Sequence, residues 1–303
     1  MDSFAHLPHE LVSHVTEGCG DRGVAWLHEL PSTIARLGSL WSIRIDAPFP
    51  GIEYNFVAPA TRDNGENVVI KIHPPWDPIE IFDEAAYLMV RAGDGCVRLL
   101  EVDATSRSIM IERLYPGRTL TEMFASDKPA AIGPAIEALQ RLLMPVSSAP
   151  ATAPSVDEWF RNFERYGDTD FPHDYAEKAF AIYRELSRQQ ERVGYLHGDF
   201  HPANVVDSVR GPYLMIDPKG IIGHLGYEIA CFLNNYHWWH EDERNVRPIL
   251  AKAVAQFSAA FNIPEVELRQ WAYAQMVIGA WWNYADMPAL YDGNVVNADI
   301  WDV

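Results

Sequence analysis

The chain has 303 residues, 48% of them hydrophobic, and carries 24 Lys and Arg against 42 Asp and Glu for a formal net charge of −18. That apolar content excludes a disordered chain and is enough for two cored lobes, while Cys19, Cys96 and Cys231, far apart and without a CxxC spacing, offer neither a disulfide framework nor a zinc cluster. The acidity argues against a nucleic-acid partner, which needs basic patches, and the lack of a spanning apolar run or a basic-then-apolar leader predicts a cytoplasmic protein with no membrane partner.

Residues 9–37 place Leu11, Val15, Val24, Leu27, Ile34 and Leu37 at helical intervals, interrupted by Gly18 and Gly20, and predict a helical preface. Strands are expected at Leu40–Ala47, Tyr54–Ala60 and Asn67–His73, the last two joined as a hairpin through Asp63-Asn64-Gly65. A helix from Pro78 to Arg91 and strands at Val97–Val102 and Ser108–Arg113 complete a small α+β lobe over residues 1–114. From Pro116 the pattern turns helical, at about 119–125, 131–144, 155–165, 174–192, 226–240, 243–261 and 265–284, giving a second lobe over 115–303. The Ala, Ser and Pro-rich stretch Pro145–Pro154 is a loop with helices on both sides, so it marks no boundary.

Between two of these helices lies Leu196-His197-Gly198-Asp199-Phe200-His201-Pro202-Ala203-Asn204, followed by Met215-Ile216-Asp217-Pro218-Lys219-Gly220. Phosphoryl transfer asks a protein to hold a metal-bound triphosphate in line with an acceptor. Amide and carboxylate oxygens suit Mg2+, a hard cation, and Asn204 and Asp217 can supply them. Asp199 can orient an acceptor hydroxyl and take its proton. His197 and His201 have no third ligand nearby for zinc.

The run His197-Gly198-Asp199-x-x-x-x-Asn204 with Asp217 thirteen residues on resembles the catalytic and metal-binding loops of the aminoglycoside phosphotransferases, relatives of the protein kinases. Leu196-His197-Gly198-Asp199 with Ile216-Asp217-Pro218-Lys219-Gly220 looks more narrowly like the aminoglycoside/hydroxyurea resistance kinase branch. The resemblance implies a bilobal protein-kinase-like α+β fold, an antiparallel-sheet lobe followed by a larger helical lobe, with ATP and Mg2+ in the cleft between them.

It also implies roles for particular residues. Lys71, in Val68-Val69-Ile70-Lys71-Ile72, matches the phosphate-binding lysine, and its partner is Glu84 of Glu84-Ala85-Ala86 in preference to Glu80. The phosphate-covering loop corresponds to Pro48-Phe49-Pro50-Gly51-Ile52-Glu53-Tyr54-Asn55. It has only Gly51 where relatives have a second glycine, and the bulk of Ile52 and charge of Glu53 oppose tight nucleotide contact. The backbone of Glu112 and Leu114 corresponds to the adenine-binding hinge, where main-chain groups do the work and side chains do not choose between ATP and GTP. His197 and Glu228 correspond to supports of the catalytic loop.

For the acceptor, ten acidic residues stand against four basic ones from Ile222 onward, which fits a small, cationic, hydroxylated molecule such as a streptomycin-like aminoglycoside. Asp286, Glu241, Asp242 and Trp282 are the expected contacts. The rival readings are a metabolic kinase for a sugar, amino alcohol or hydroxyurea-like acceptor, and a non-catalytic nucleotide-binding protein motivated by the glycine-poor loop. Nothing in the sequence sets an oligomeric state.

Overall fold

The computed structural model describes residues 7–239, 243–286 and 293–303, with the side chains of 237–239, 243–245 and 286 left out of the description. The chain divides into two compact units, Met1–Leu114 and Tyr115–Val303.

The first unit contains α1 (His9–Trp41), β1 (Ile43–Ile45), β2 (Phe56–Arg62), β3 (Asn67–Ile72), α2 (Ile81–Arg91), β4 (Leu99–Asp103) and β5 (Ser108–Glu112). The strands form one antiparallel sheet in the order β1-β2-β3-β5-β4. Strand side chains alternate between faces, and Val68, Ile70 and Ile72 of β3 join Leu11, Val15, Leu27, Leu30 and Leu37 of α1 in one apolar cluster. The expected preface is therefore the cover of one sheet face. It runs four residues past the predicted end, so the strand expected from Leu40 shrinks to Ile43–Ile45. Gly20 alone leaves helical geometry (φ 55°, ψ −135°), whereas Gly18 stays within it.

The second unit contains β6 (Pro116–Thr119), α3 (Leu120–Met123), α4 (Ile132–Leu142), α5 (Val156–Phe163), α6 (His173–Leu186), β7 (Val193–Leu196), β8 (Val205–Ser208), β9 (Leu214–Met215), β10 (Ile221–His224), α7 (Leu225–Trp239), α8 (Glu243–Phe261) and α9 (Glu265–Asp286), then a 3-10 helix at Asn294–Trp301. Capping boxes start α3 at Thr119 with Glu122 and α5 at Ser155 with Glu158. The final 3-10 helix is keyed to α7 by Trp301, which donates its indole N–H to Asn234 Oδ1 at 2.9 Å. Among the described residues no helix is long and apolar enough to cross a membrane.

Four short strands organise the irregular middle of this unit. β7 pairs with β10 (Leu196 opposite Ile221), and between them β8 pairs with β9 (Val205 opposite Met215). Two loops, 197–204 and 216–220, are thereby brought side by side.

Candidate active site

In the first unit, Lys71 sits on β3, paired with Val57 of β2 on one side and Ile109 of β5 on the other. Because Ile70 and Ile72 face α1, Lys71 faces the other side of the sheet. There α2 presents Glu84, and Lys71 Nζ donates to Glu84 Oε2 at 2.6 Å with only 8% and 5% of the two side chains exposed. Burying both charges costs desolvation that the contact does little more than offset, so the pair fixes an ammonium in space more than it stabilises the fold. Glu80 is the N-cap of α2, its carbonyl taking the Glu84 N–H at 3.1 Å.

The stretch between β1 and β2 has Gly51 in the left-handed region (φ 70°), which glycine adopts without a Cβ penalty. Ile52 packs against the α1–sheet cluster, so its bulk is directed into the core. Glu53 is exposed. Glu112 gives its N–H to Arg98 O at 2.9 Å and accepts the Arg98 N–H on its side chain at 3.1 Å. Any hinge role of Glu112 is therefore confined to its carbonyl. Leu114, half-buried, is the last residue of this unit.

In the second unit the two loops are fastened by backbone and one imidazole. His197 O accepts from Lys219 N at 2.7 Å and Gly220 N at 3.1 Å, and Asn204 O accepts from Ile216 N at 3.0 Å. The His197 ring is fully buried and bonds Ile216 O through Nε2 at 2.9 Å and Asp199 N through Nδ1 at 3.3 Å. A carbonyl can only accept and an amide N–H can only donate, so His197 is the neutral Nε2–H tautomer. Burial opposes charging this ring and lowers its pKa to about 3.

Gly198 lies at φ 82°, and a Cβ there would come to 2.9 Å of the Ile221 side chain and 3.0 Å of Lys219 Cβ. Its N–H donates to Glu228 Oε2 at 2.8 Å. Glu228 is fully buried at the start of α7, and burial raises its pKa to about 8 against the opposing Gly198 bond, with the Asp199 charge adding to the rise.

The Asp199 side chain is one third exposed. Asn204 Nδ2 donates to Asp199 O at 3.0 Å and to Asp199 Oδ2 at 3.3 Å. This bond commits the NH2 side of the amide and turns Oδ1 to the opposite side. Asp217 holds a left-handed backbone (φ 60°), a conformation that costs a non-glycine residue and clusters at functional sites. Among the described residues no group of three or more His, Cys, Asp or Glu could hold a metal. Two oxygen donors, one amide and one carboxylate, are instead the set a hard cation uses when substrate phosphates complete its shell.

The expected acceptor contacts are only partly brought into view. Glu241 and Asp242 lie outside the described residues, and Asp286 ends α9 with its side chain not described. Trp282 is half-buried and meets Trp159 of α5 edge-on, with centroids 5.1 Å apart. Trp159 in turn leans on Tyr227 at 6.0 Å. Tyr227 is buried, and burial raises its hydroxyl pKa well above the usual value, with smaller contributions from the nearby Cys231 and Asp199 charges. Trp281, buried against Phe163 and Phe171, belongs to the core. Trp159 escaped the sequence reading because a lone tryptophan on a short helix gives no cluster signal; the Ser155–Glu158 capping box, which fixes the helix start, was the available clue.

The profile of the aminoglycoside/hydroxyurea antibiotic resistance kinases matches residues 41–286. The chain belongs to that family. Among its relatives are the streptomycin 6-kinase of Streptomyces griseus, 26% identical over 93% of this kinase and 92% of that protein, and the hydroxyurea phosphotransferase of Kitasatospora aureofaciens, 29% identical over 78% and 70%. A crystal structure of the choline kinase of Streptococcus pneumoniae superposes with a TM-score of 0.65 at 14% identity, over 89% of this kinase and 96% of that chain. The expected protein-kinase-like class, an antiparallel-sheet unit followed by a mainly helical one, is borne out, as is the expected phosphotransferase class.

Proposed function

We propose that this kinase transfers the γ-phosphoryl group of ATP, in the cytoplasm, to a hydroxyl of a streptomycin-like aminoglycoside. The observation that carries the reading is Asp199 and Asn204 held in one hydrogen-bonded unit on a loop fastened to the loop of Asp217. Lys71, immobilised by Glu84, neutralises phosphate oxygens of the nucleotide. The Glu112 carbonyl and the Leu114 backbone serve the adenine edge. Asp199, its carboxylate oriented by the Asn204 amide, accepts the hydrogen bond of the acceptor hydroxyl and aims a lone pair at the γ-phosphorus. As the new O–P bond forms and the bond to the β,γ-bridging oxygen breaks, Asp199 takes the hydroxyl proton. Mg2+ fits the Asn204 oxygen and the Asp217 carboxylate, and its chemistry there is to neutralise charge on the triphosphate.

Trp159 and Trp282 offer apolar faces for sugar rings or a guanidinium group, and Asp286, Glu241 and Asp242 are the proposed carboxylates for acceptor cations. Similarity to the streptomycin 6-kinase over nearly the full length of both chains favours the aminoglycoside. Similarity to a hydroxyurea phosphotransferase supports a second reading, a small acceptor without sugar rings.

Purified protein with MgATP and streptomycin is expected to give a singly phosphorylated product by mass spectrometry. Asp199→Ala should lower kcat by about 10²–10⁴-fold with the fold intact by circular dichroism. No product across an aminoglycoside panel, with turnover on hydroxyurea, would replace the first reading by the second. Nucleotide binding without turnover on any acceptor would sink both.

A further inference from the structure

A phosphate-covering loop with one glycine has little backbone freedom to mould itself around a triphosphate, so its shape must be set in advance. In this protein residues 51–55 are held from behind by α1. The His14 imidazole stacks on the Tyr54 ring, with centroids 4.9 Å apart and planes within 8°. His14 Nδ1 lies 3.3 Å from Glu53 O and, facing a carbonyl, is the donor. One turn along the same helix face, Gly18 leaves its backbone bare, and the Trp76 indole occupies that space so closely that a Cβ on Gly18 would lie 2.1 Å from Cζ3. From there Trp76 Nε1 donates to Tyr54 O at 3.2 Å. Ile52 is packed into the cluster beneath α1. The front of the loop is tied separately, by Phe49 N to Val57 O at 3.0 Å and by the Arg113 guanidinium 5.7 Å above the Phe49 ring.

Three consecutive residues, Ile52, Glu53 and Tyr54, are thus fixed by one helix and the tryptophan seated on it. We propose that α1 is a splint for the phosphate-covering loop, with His14, Gly18 and Trp76 as positioning residues that pre-set residues 51–55 for the triphosphate. The inference rests on the reading of this chain as an ATP-dependent kinase. Preorganisation of this kind raises affinity by removing the cost of ordering the loop at binding. It also explains how a loop with Ile52 and Glu53 in place of small residues can still serve, since one side chain is committed to the core and the other lies at the surface.

The test uses the full chain and two ligands that differ only in phosphates, a non-hydrolysable ATP analogue with Mg2+ and adenosine. Titration calorimetry reads the first and ligand-observed NMR the second. His14→Ala and Gly18→Ala should each weaken the ATP analogue about fivefold or more, the worth of roughly one lost hydrogen bond, and leave adenosine affinity unchanged. Trp76→Phe, which keeps a ring on Gly18 without the donor, should fall between wild type and Gly18→Ala. Gly18→Ala is informative because alanine favours a helix over glycine, so weaker binding cannot come from a frayed α1. Unchanged affinity for the analogue in both alanine variants, or an equal loss for analogue and adenosine, overturns the splint. Wild-type protein that binds neither ligand removes the kinase reading together with it.

Discussion

Lys71 and Asp199 are held by opposite means. Lys71 stands on a regular strand, and a buried side-chain contact with Glu84 fixes its ammonium. Asp199 stands on irregular backbone, and main-chain hydrogen bonds, one neutral imidazole and a glycine fix its loop. The first arrangement is vulnerable to loss of charge. The second is vulnerable to any change in backbone shape, even where no charge is touched.

The largest expected effect follows from the ion pair. Lys71→Met takes the ammonium away from the buried Glu84 carboxylate that it meets at 2.6 Å and should cost roughly 3–5 kcal/mol of unfolding free energy in urea. The double variant Lys71→Met with Glu84→Leu should recover most of that stability while phosphoryl transfer stays lost. A single variant as stable as wild type would show that charge is not what holds this region. A smaller effect is expected at Gly198→Ala, which adds a Cβ at φ 82° against Ile221 and Lys219; about 1–3 kcal/mol of strain is expected there. Its kcat should fall far more than its affinity for nucleotide, and equal losses in both would contradict the separation of the two regions.

A further effect concerns Glu228 and is seen only as a pH dependence. Its folded pKa of about 8 lies above the ordinary value of 4.5, so between these pH values the folded state keeps a proton that the unfolded state has released. The contribution to stability is full below pH 4.5 and is lost as pH rises through about 8. Wild-type Tm should therefore fall relative to Glu228→Gln between pH 5 and pH 8.5, and parallel curves would show that Glu228 is ionised throughout.

Much of this could be read from the sequence, and what could not has physical reasons. Val68-Val69-Ile70-Lys71-Ile72 announces a strand by its β-branched run, and the Asp199, Asn204 and Asp217 spacing carries the resemblance to the family. The strands β6, β8, β9 and β10 have two to four residues each, too few for a period to emerge, so the fastening of the two loops was invisible. The predicted helix 174–192 stops at Leu186, because its apolar period and the following polar run do not mark an end. Ile52 looked like an obstacle because a sequence does not say which way a loop side chain turns. His14 and Trp76 act on residues about twenty to forty positions away, and no local pattern links them.

The β8–β9 hairpin has a consequence for engineering. Asn204 and Asp217 are thirteen residues apart in the chain, yet they flank paired strand ends, with Val205 opposite Met215. The spacing is thus the length of a hairpin and not a distance the chemistry demands. Its tip includes Val209, 90% exposed. Residues added between Val209 and Gly211 would lengthen the excursion without moving either end, which makes this tip a natural port for a peptide tag or a fluorophore beside a working site.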